Sequence, residues 1–359
     1  MQLRPSACAL ALLAAVLLTP LRSALAWNYE GHMIVGEIAY QQLDDADKAA
    51  LTRLLKAHPH YTTYLTIGAP TAGPAQDEMA FVRAATWPDA VRPSRAPYKP
   101  LIIDPTDERN VTQYHHPEWH YIDIAYVLPG DANMNLQHKA MSTEKGDVVT
   151  MIREKSADFE KKDTTDKTNG DKNKAIDLAW LMHGVGDMHQ PLHAVTLIGD
   201  GFAPPDGDRG GNGILVGYQS AAGKEMVTNL HSFWDGALGT VQMEQFTVDS
   251  LPALRARAKE IMTKHPLASL PQMKTHLTPE SWAEESYEAA KKSAYLNGDI
   301  LKLPKPRTSY QLPPDYVPHA QEVAEERAAL AGYRLAALLH AELKGQPLPS
   351  ASTPIVPAK

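Results

Sequence analysis

Cysteine is almost missing from this chain. The only one, Cys8, lies within the first 26 residues, which read below as a removable leader. Past that leader the chain has no disulfide and no thiolate to serve as nucleophile or metal ligand. Its core and its other polar groups must hold it together. Basic residues are not in excess either: 35 Lys and Arg stand against 42 Asp and Glu, a formal net charge of −7. That argues against recognition of polyanions through a broad lysine-rich face. Long apolar runs are missing too. Ala9–Leu18 is too short to span a bilayer comfortably, and Pro20 and Arg22 follow it closely. There is no evident internal repeat, no low-complexity tract, and little of the period-two alternation that marks strands.

Arg4, the apolar run and the small-x-small step Ala24-Leu25-Ala26 make residues 1–26 an expected signal peptide. The protein is therefore expected to be secreted or periplasmic, with no membrane anchor in its mature form. Removal leaves residues 27–359, enough for one large domain or two small ones. It also takes away two arginines, so the formal charge becomes −9. The new first residue would be Trp27. A free α-amine and its neighbouring carbonyl can chelate a cation in a five-membered ring, and His32 is close enough in sequence to fold back onto the same ion.

Helical patterning dominates the remainder. Apolar residues recur at three- and four-residue steps over Gly31–Leu43, Asp45–Lys56, Asp147–Lys161, Lys174–Met188, Leu251–Lys264, Pro279–Tyr295 and Pro318–Leu343. Pro279 and Pro318 sit where helices can start. Gly213–Tyr218 and Glu225–Thr228 suit a short hairpin across Ala221-Ala222-Gly223. The expectation is a mostly α, single-domain helical fold with a small β-hairpin. Pro93–Pro117, Lys161–Lys174 and Asp200–Asn212 read as loops or insertions, and the tail 345–359 as disordered.

The chemistry concentrates in residues 183–193, His-Gly-Val-Gly-Asp-Met-His-Gln-Pro-Leu-His. His183 and Asp187, four apart, share one helical face. Pro191 should end that helix and let His193 turn back toward them. His231 and Asp235 repeat the same step. Imidazole with carboxylate is a donor set that zinc and similar cations take. One such pair on a helix is more often an ordinary side-chain contact; two pairs with an extra histidine point to more than one ion.

Trp27 with His32, Trp87-Pro-Asp89, His120-Tyr121-Ile-Asp123, His183-x3-Asp187-x5-His193 and His231-x3-Asp235 occur in that order. This ordered set resembles the zinc-dependent single-strand nucleases of the mung bean nuclease type, the S-one/P-one family, which is related to the trinuclear-zinc phospholipases C. The resemblance runs from Trp27 to about Leu339. It implies a trinuclear zinc domain over residues 27–344. One zinc would take Asp89, His120, His183 and Asp187, and a second His193, His231 and Asp235. The third would take the amine and carbonyl of Trp27 with His32 and the other oxygen of Asp187. Three zinc ions and three aspartates would make the site locally cationic within an acidic protein.

The resemblance also implies the reaction. A zinc-activated hydroxide, ionised near pH 7, attacks phosphorus in line and leaves the phosphate on the 5′ side. The substrates would be single-stranded DNA and RNA, with 3′-nucleotidase activity on nucleotides. Asp89 would orient the nucleophile, and Arg92 would bind the phosphoryl oxygens with its guanidinium fork. Tyr121 and Asp123 would stack and hydrogen-bond an unstacked base, although an aromatic beside a ligand is equally often core packing. Asn212 would lie near the phosphate, or serve only its own turn.

Two rivals remain at this point: a phospholipase C on the same scaffold, which tends to carry Glu at the position of Asp235, and a periplasmic zinc-binding protein without catalysis. A monomer is expected. Of the fifteen histidines, His189 is expected to lie behind the ligands or at the surface. Asn110-Val-Thr112 is a glycosylation sequon whose use the sequence does not decide.

Overall fold

The computed structural model describes residues 27–92, 113–141, 146–160, 170–220, 222–239 and 246–350. The leader, the sequon and the middle of two expected insertions lie outside these residues. The expected helices form, and four further ones join them among the described residues, one of which precedes the Trp-Pro-Asp turn. In chain order they are α1 (Tyr29–Gln42), α2 (Asp45–Leu55), α3 (Pro74–Ala84), α4 (Trp87–Ala90), α5 (Val148–Glu160), α6 (Gly170–His189), α7 (Leu230–Asp235), α8 (Leu251–Lys264), α9 (Gln272–Thr275), α10 (Pro279–Ala289) and α11 (Tyr316–Leu343). The fold is mostly α, as expected. α3 was hidden from periodicity because Met79, Ala80, Phe81 and Val82 are buried consecutively rather than as a stripe.

Local chemistry sets the ends. Asn28 accepts from the Gly31 amide at 3.0 Å and caps α1. Asp44 caps α2 through the Asp47 amide at 2.8 Å. Thr278 and Ser281 form a capping box on α10, with Pro279 in the first turn. α6 stops at His189, just before Pro191, and residues 191–194 continue as one turn of 3-10 helix.

α6 is the axis of the molecule: every residue from Leu178 to His189 is buried. α1 and α11 cross it and each other. At Gly332 the two helices approach so closely that a Cβ there would fall 2.3 Å from Cγ2 of Ile38. Two small sheets complete the fold. Strands β1 (Ala125–Val127) and β2 (Thr196–Ile198) pair in parallel, with Ala125 opposite Thr196. The ladder extends upstream, where the Ile122 amide donates to His193 O at 2.8 Å. This brings the turn at 117–120 beside the turn at 191–194, and each carries one candidate ligand. β3 (Leu215–Gln219) and β4 (Glu225–Asn229) form the expected hairpin. β5 (Tyr310–Gln311) adds to β3 in parallel. The hairpin runs directly into α7, which Asn229 caps through the Ser232 amide at 2.7 Å.

A buried ionic network binds the C-terminal helices. Glu285 on α10 pairs at 2.7 Å with both Arg327 and Arg334 of α11. Arg334 Nη1 also donates to Nε2 of His189 at 2.8 Å. His189 therefore departs from expectation: it is fully buried and turned toward α11, its Nδ1 bound to Val185 O at 2.7 Å. Two residues past Asp187 on a helix is a step of about 200°, which aims it away from the ligand face. Among the described residues, no helix is long and apolar enough to cross a membrane.

Candidate metal centre

Three groups of donors converge, their ligand atoms within 4.8 Å of one another in each group: His32–His183–Asp187, Asp89–His120–His183 and His193–His231–Asp235. Every member is buried. All eight side chains nominated as ligands are thus brought together from five parts of the fold. α1 supplies His32 and α4 supplies Asp89. The turn at 117–120 gives His120. α6 and the turn after it give His183, Asp187 and His193, and α7 gives His231 and Asp235.

Asp187 is at the centre. Its Oδ1 lies 3.2 Å from His32 Nε2, and its Oδ2 lies 3.0 Å from both His120 Nδ1 and His183 Nε2. Each oxygen thus serves a different group. Burial opposes ionisation of this carboxyl, but the imidazoles crowded around it, His183 foremost, hold it well below the ordinary carboxylate range. The His32 ring stacks on His183 with centroids 4.0 Å apart and planes 18° from parallel. Gly186 makes room for it: a Cβ there would fall 2.8 Å from His32 Nδ1.

Main-chain carbonyls fix the histidines. Nδ1 of His183 bonds Ala85 O at 2.8 Å, Nδ1 of His193 bonds His120 O at 2.7 Å, and Nδ1 of His231 bonds Gly210 O at 2.7 Å. A carbonyl only accepts, so each Nδ1 carries a proton, and in a neutral ring Nε2 then presents a lone pair. This is the orienting shell that metal-binding imidazoles use.

The fit to a cation can be tested at one pair. Nε2 of His193 and Nε2 of His231 stand 3.1 Å apart. With both Nδ1 atoms protonated, two lone pairs face each other. Burial pushes His231 down to about 3, with the neighbouring His193 adding to it, and burial lowers His193 too, so a second proton is not the remedy. A cation is. Tetrahedral zinc, with Zn–N bonds of 2.0–2.1 Å, places two ring nitrogens about 3.3 Å apart. Among the described residues, Asp89 Oδ2 is likewise buried without a hydrogen-bond partner. Elsewhere, Asp44–Asp47–His340 and His265–Glu322–Glu325 also gather donors. In the first, His340 Nδ1 is already bonded to Asp47 at 2.5 Å; in the second, the Lys264 ammonium pairs with both Glu322 and Glu325 and fills the cation's place.

The remaining nominated residues surround this centre. Trp27 is fully buried, and the Asn28 amide next to it donates to Asp235 O at 3.2 Å. Arg92 Nη2 lies 2.8 Å from Asp89 Oδ1. Tyr121 is 37 % exposed, which removes it from the core. Asp123 is half-buried, and burial, with Asp208 and Asp206 adding to it, pushes its carboxyl up to about 7. The Asn212 side chain donates to Arg209 O at 2.8 Å, which is a turn-stabilising bond. Sequence reasoning missed Gln190, whose Nε2 donates to Asp235 Oδ1 at 2.7 Å. Its place between His189 and Pro191 within the densest ligand motif was the available signal.

The S1/P1 nuclease family model matches residues 27–344. The chain is 26 % identical to Endonuclease 4 of Arabidopsis thaliana over 343 residues, covering 92 % of this chain and 94 % of that protein. It is 24 % identical to Endonuclease 3 of the same plant over 90 % of this chain and 92 % of the relative. It is 32 % identical to Endonuclease 5 over a shorter stretch, 47 % of this chain and 52 % of that one. With its donor groups in place and the family model covering nearly all of the described fold, this chain belongs to the S1/P1 nuclease family, zinc-dependent hydrolases of the nuclease class.

Proposed function

We propose that this protein is an exported endonuclease that hydrolyses phosphodiester bonds in single-stranded DNA and RNA to 5′-phosphate products, also acts as a 3′-nucleotidase, and works as a monomer. The observation that carries this reading is the shared carboxylate. Asp187 turns one oxygen to His32 and the other to His120 and His183, beside the Arg92–Asp89 pair and an exposed tyrosine.

Three zinc ions fit this donor set. Asp89, His120, His183 and Asp187 would hold one, His193, His231 and Asp235 a second, and Trp27, His32 and Asp187 a third. Bound zinc supplies Lewis acidity and lowers the pKa of water toward about 7. The chain's own groups do the rest. Asp89 has one oxygen on Arg92 and a second, buried oxygen that can accept a hydrogen bond from the attacking water. Arg92 can release part of its pairing with Asp89 to fork onto phosphoryl oxygens. The exposed ring of Tyr121 offers a stacking face that tolerates any base but needs it unstacked, which selects single strands. Asp123, neutral below about pH 7, can both donate to and accept from a base edge. Asn212, committed to its turn, can approach substrate through the glycine loop it stabilises.

A phospholipase C would have no use for an exposed stacking tyrosine, and a storage protein none for Arg92 poised on Asp89. The test is purified protein beginning at Trp27, assayed with single-stranded DNA, RNA, a 3′-mononucleotide and a choline-type phosphodiester, with metal analysis of the same sample. Cleavage of the first three with about three zinc ions per chain is expected. Hydrolysis of the choline ester alone, or zinc without hydrolysis, overturns the proposal.

A further inference from the structure

Gln190 is wholly buried and has a partner for each of its four polar groups. Its amide donates to Asp187 O at 3.0 Å, and its carbonyl accepts from the His193 amide at 3.0 Å. Its side-chain Oε1 accepts from the Leu192 amide at 2.5 Å, and its Nε2 donates to Asp235 Oδ1 at 2.7 Å. Three of these four bonds end on ligand residues. The side-chain amide has only one workable orientation. Leu192 N can only donate, so the atom facing it is the oxygen, and the NH2 must face Asp235.

Asp235 Oδ1 is also the oxygen that faces the histidine pair, 3.6 Å from His231 Nε2 and 3.9 Å from His193 Nε2. A carboxylate oxygen has two lone pairs. Gln190 engages one, which leaves the other for a cation between the rings.

We infer that Gln190 is the positioning residue of the His193–His231–Asp235 group, and that it sets the affinity of that one group for zinc by holding Asp235 while its backbone ties His193 and Asp187 into register. This rests on the proposed zinc reading. Because Gln190 reaches the other two groups only through the backbone of Asp187, its side chain should act on one ion and spare the rest.

The experiment is zinc retention. Zinc-loaded wild type and Gln190→Leu are dialysed against a series of zinc buffers, and ions per chain are counted at each free-zinc level. Loss of an orienting partner behind a ligand costs about 10–100-fold in metal affinity. The variant should therefore release one ion at free zinc about 10–100-fold higher than wild type does, with the other ions titrating as in wild type. Gln190→Met, a flexible near-isostere, replaces Leu if the first variant does not fold. A double-mutant cycle with Asp235→Asn separates positioning from general packing. If Gln190 acts through Asp235, Gln190→Leu adds nothing to the zinc loss of Asp235→Asn. Coincident curves for wild type and variant, an equal shift of every ion, or additive losses in the cycle overturn the inference while leaving the zinc reading intact. A wild type that holds no zinc overturns both.

Discussion

Gly186→Ala tests how tightly the centre is packed. The residue lies inside α6, one position before Asp187. An alanine Cβ would stand 2.8 Å from His32 Nδ1 and 3.2 Å from Cε1. The neighbour cannot step aside cheaply. The His32 ring is stacked on His183, and its Nε2 lies 3.2 Å from Asp187. Two terms then compete. Replacing glycine by alanine inside a helix is worth about 0.5–1 kcal/mol. Overpacking a filled site costs about 1–3 kcal/mol. Gly36→Ala removes the first term by comparison, because its Cβ would sit in α1 at an ordinary 3.5 Å from Val82 Cα. Gly36→Ala should be neutral or slightly stabilising. Gly186→Ala should unfold at lower denaturant, the two variants differing by about 1–3 kcal/mol. Gly186→Ala should also lose an ion to chelators that wild type resists. Gly184→Ala makes a useful third member: its Cβ would clash with the terminal methyl of Met151, the far end of a flexible side chain, and make ordinary contact with Ile152 and Val148. If the Gly186 and Gly36 variants melt together and retain zinc alike, His32 is not held where the structure holds it.

Four further outcomes are expected. Tyr121→Ala should weaken cleavage of single-stranded DNA and RNA by about 1–3 kcal/mol per stacked base, yet spare bis-p-nitrophenyl phosphate; equal loss on both substrates, with zinc intact, would refute the base-stacking role. EDTA should lower the melting temperature and zinc should restore it, because the ligands come together only in the folded chain; calorimetry on verified metal-free protein decides. Residues added before Trp27, with cleavage prevented, should cost one ion and most activity, measured by elemental analysis beside an RNA assay. Finally, Arg334 and Arg327 hold the Glu285 carboxyl well below the ordinary carboxylate range, overriding burial. Its folded pKa is depressed, so its contribution is present above the unfolded value of about 4.3 and fades as pH falls below it. Glu285→Gln should therefore destabilise metal-free protein by about 3–5 kcal/mol at pH 7, a gap that narrows in unfolding curves below about pH 4.

Which donor side chains gather was readable because their pairing rests on side-chain chemistry at fixed steps: His183 with Asp187, and His231 with Asp235. Helices were readable wherever one stripe is buried, and the boundaries of α8 match the expected Leu251–Lys264. The end of the α10 segment was not, because residues 290–294 widen into a π-helix. What orients the ligands was out of reach for a different reason. Ala85, His120 and Gly210 act through their carbonyls, and every residue type has one. Only tertiary folding decides which carbonyl meets an imidazole. The parallel pairing of β1 with β2 joins strands of three residues with residues 128–195 between them, too short for any period to register.

The close approach of Gly332 to Ile38 has a consequence for the order of synthesis. α1 carries His32, the first of the candidate ligands, and packs on α3, α6 and α8 as well as on α11, the last helix made. Asp235, the final candidate, leaves the ribosome about eighty residues before α11 begins. A nascent chain can thus possess every donor side chain while one face of its first helix still waits for its partner. Final seating of that helix is timed by the carboxyl end of the polypeptide, and a product that stalls before α11 would carry every motif without the surface that makes the close approach to Ile38.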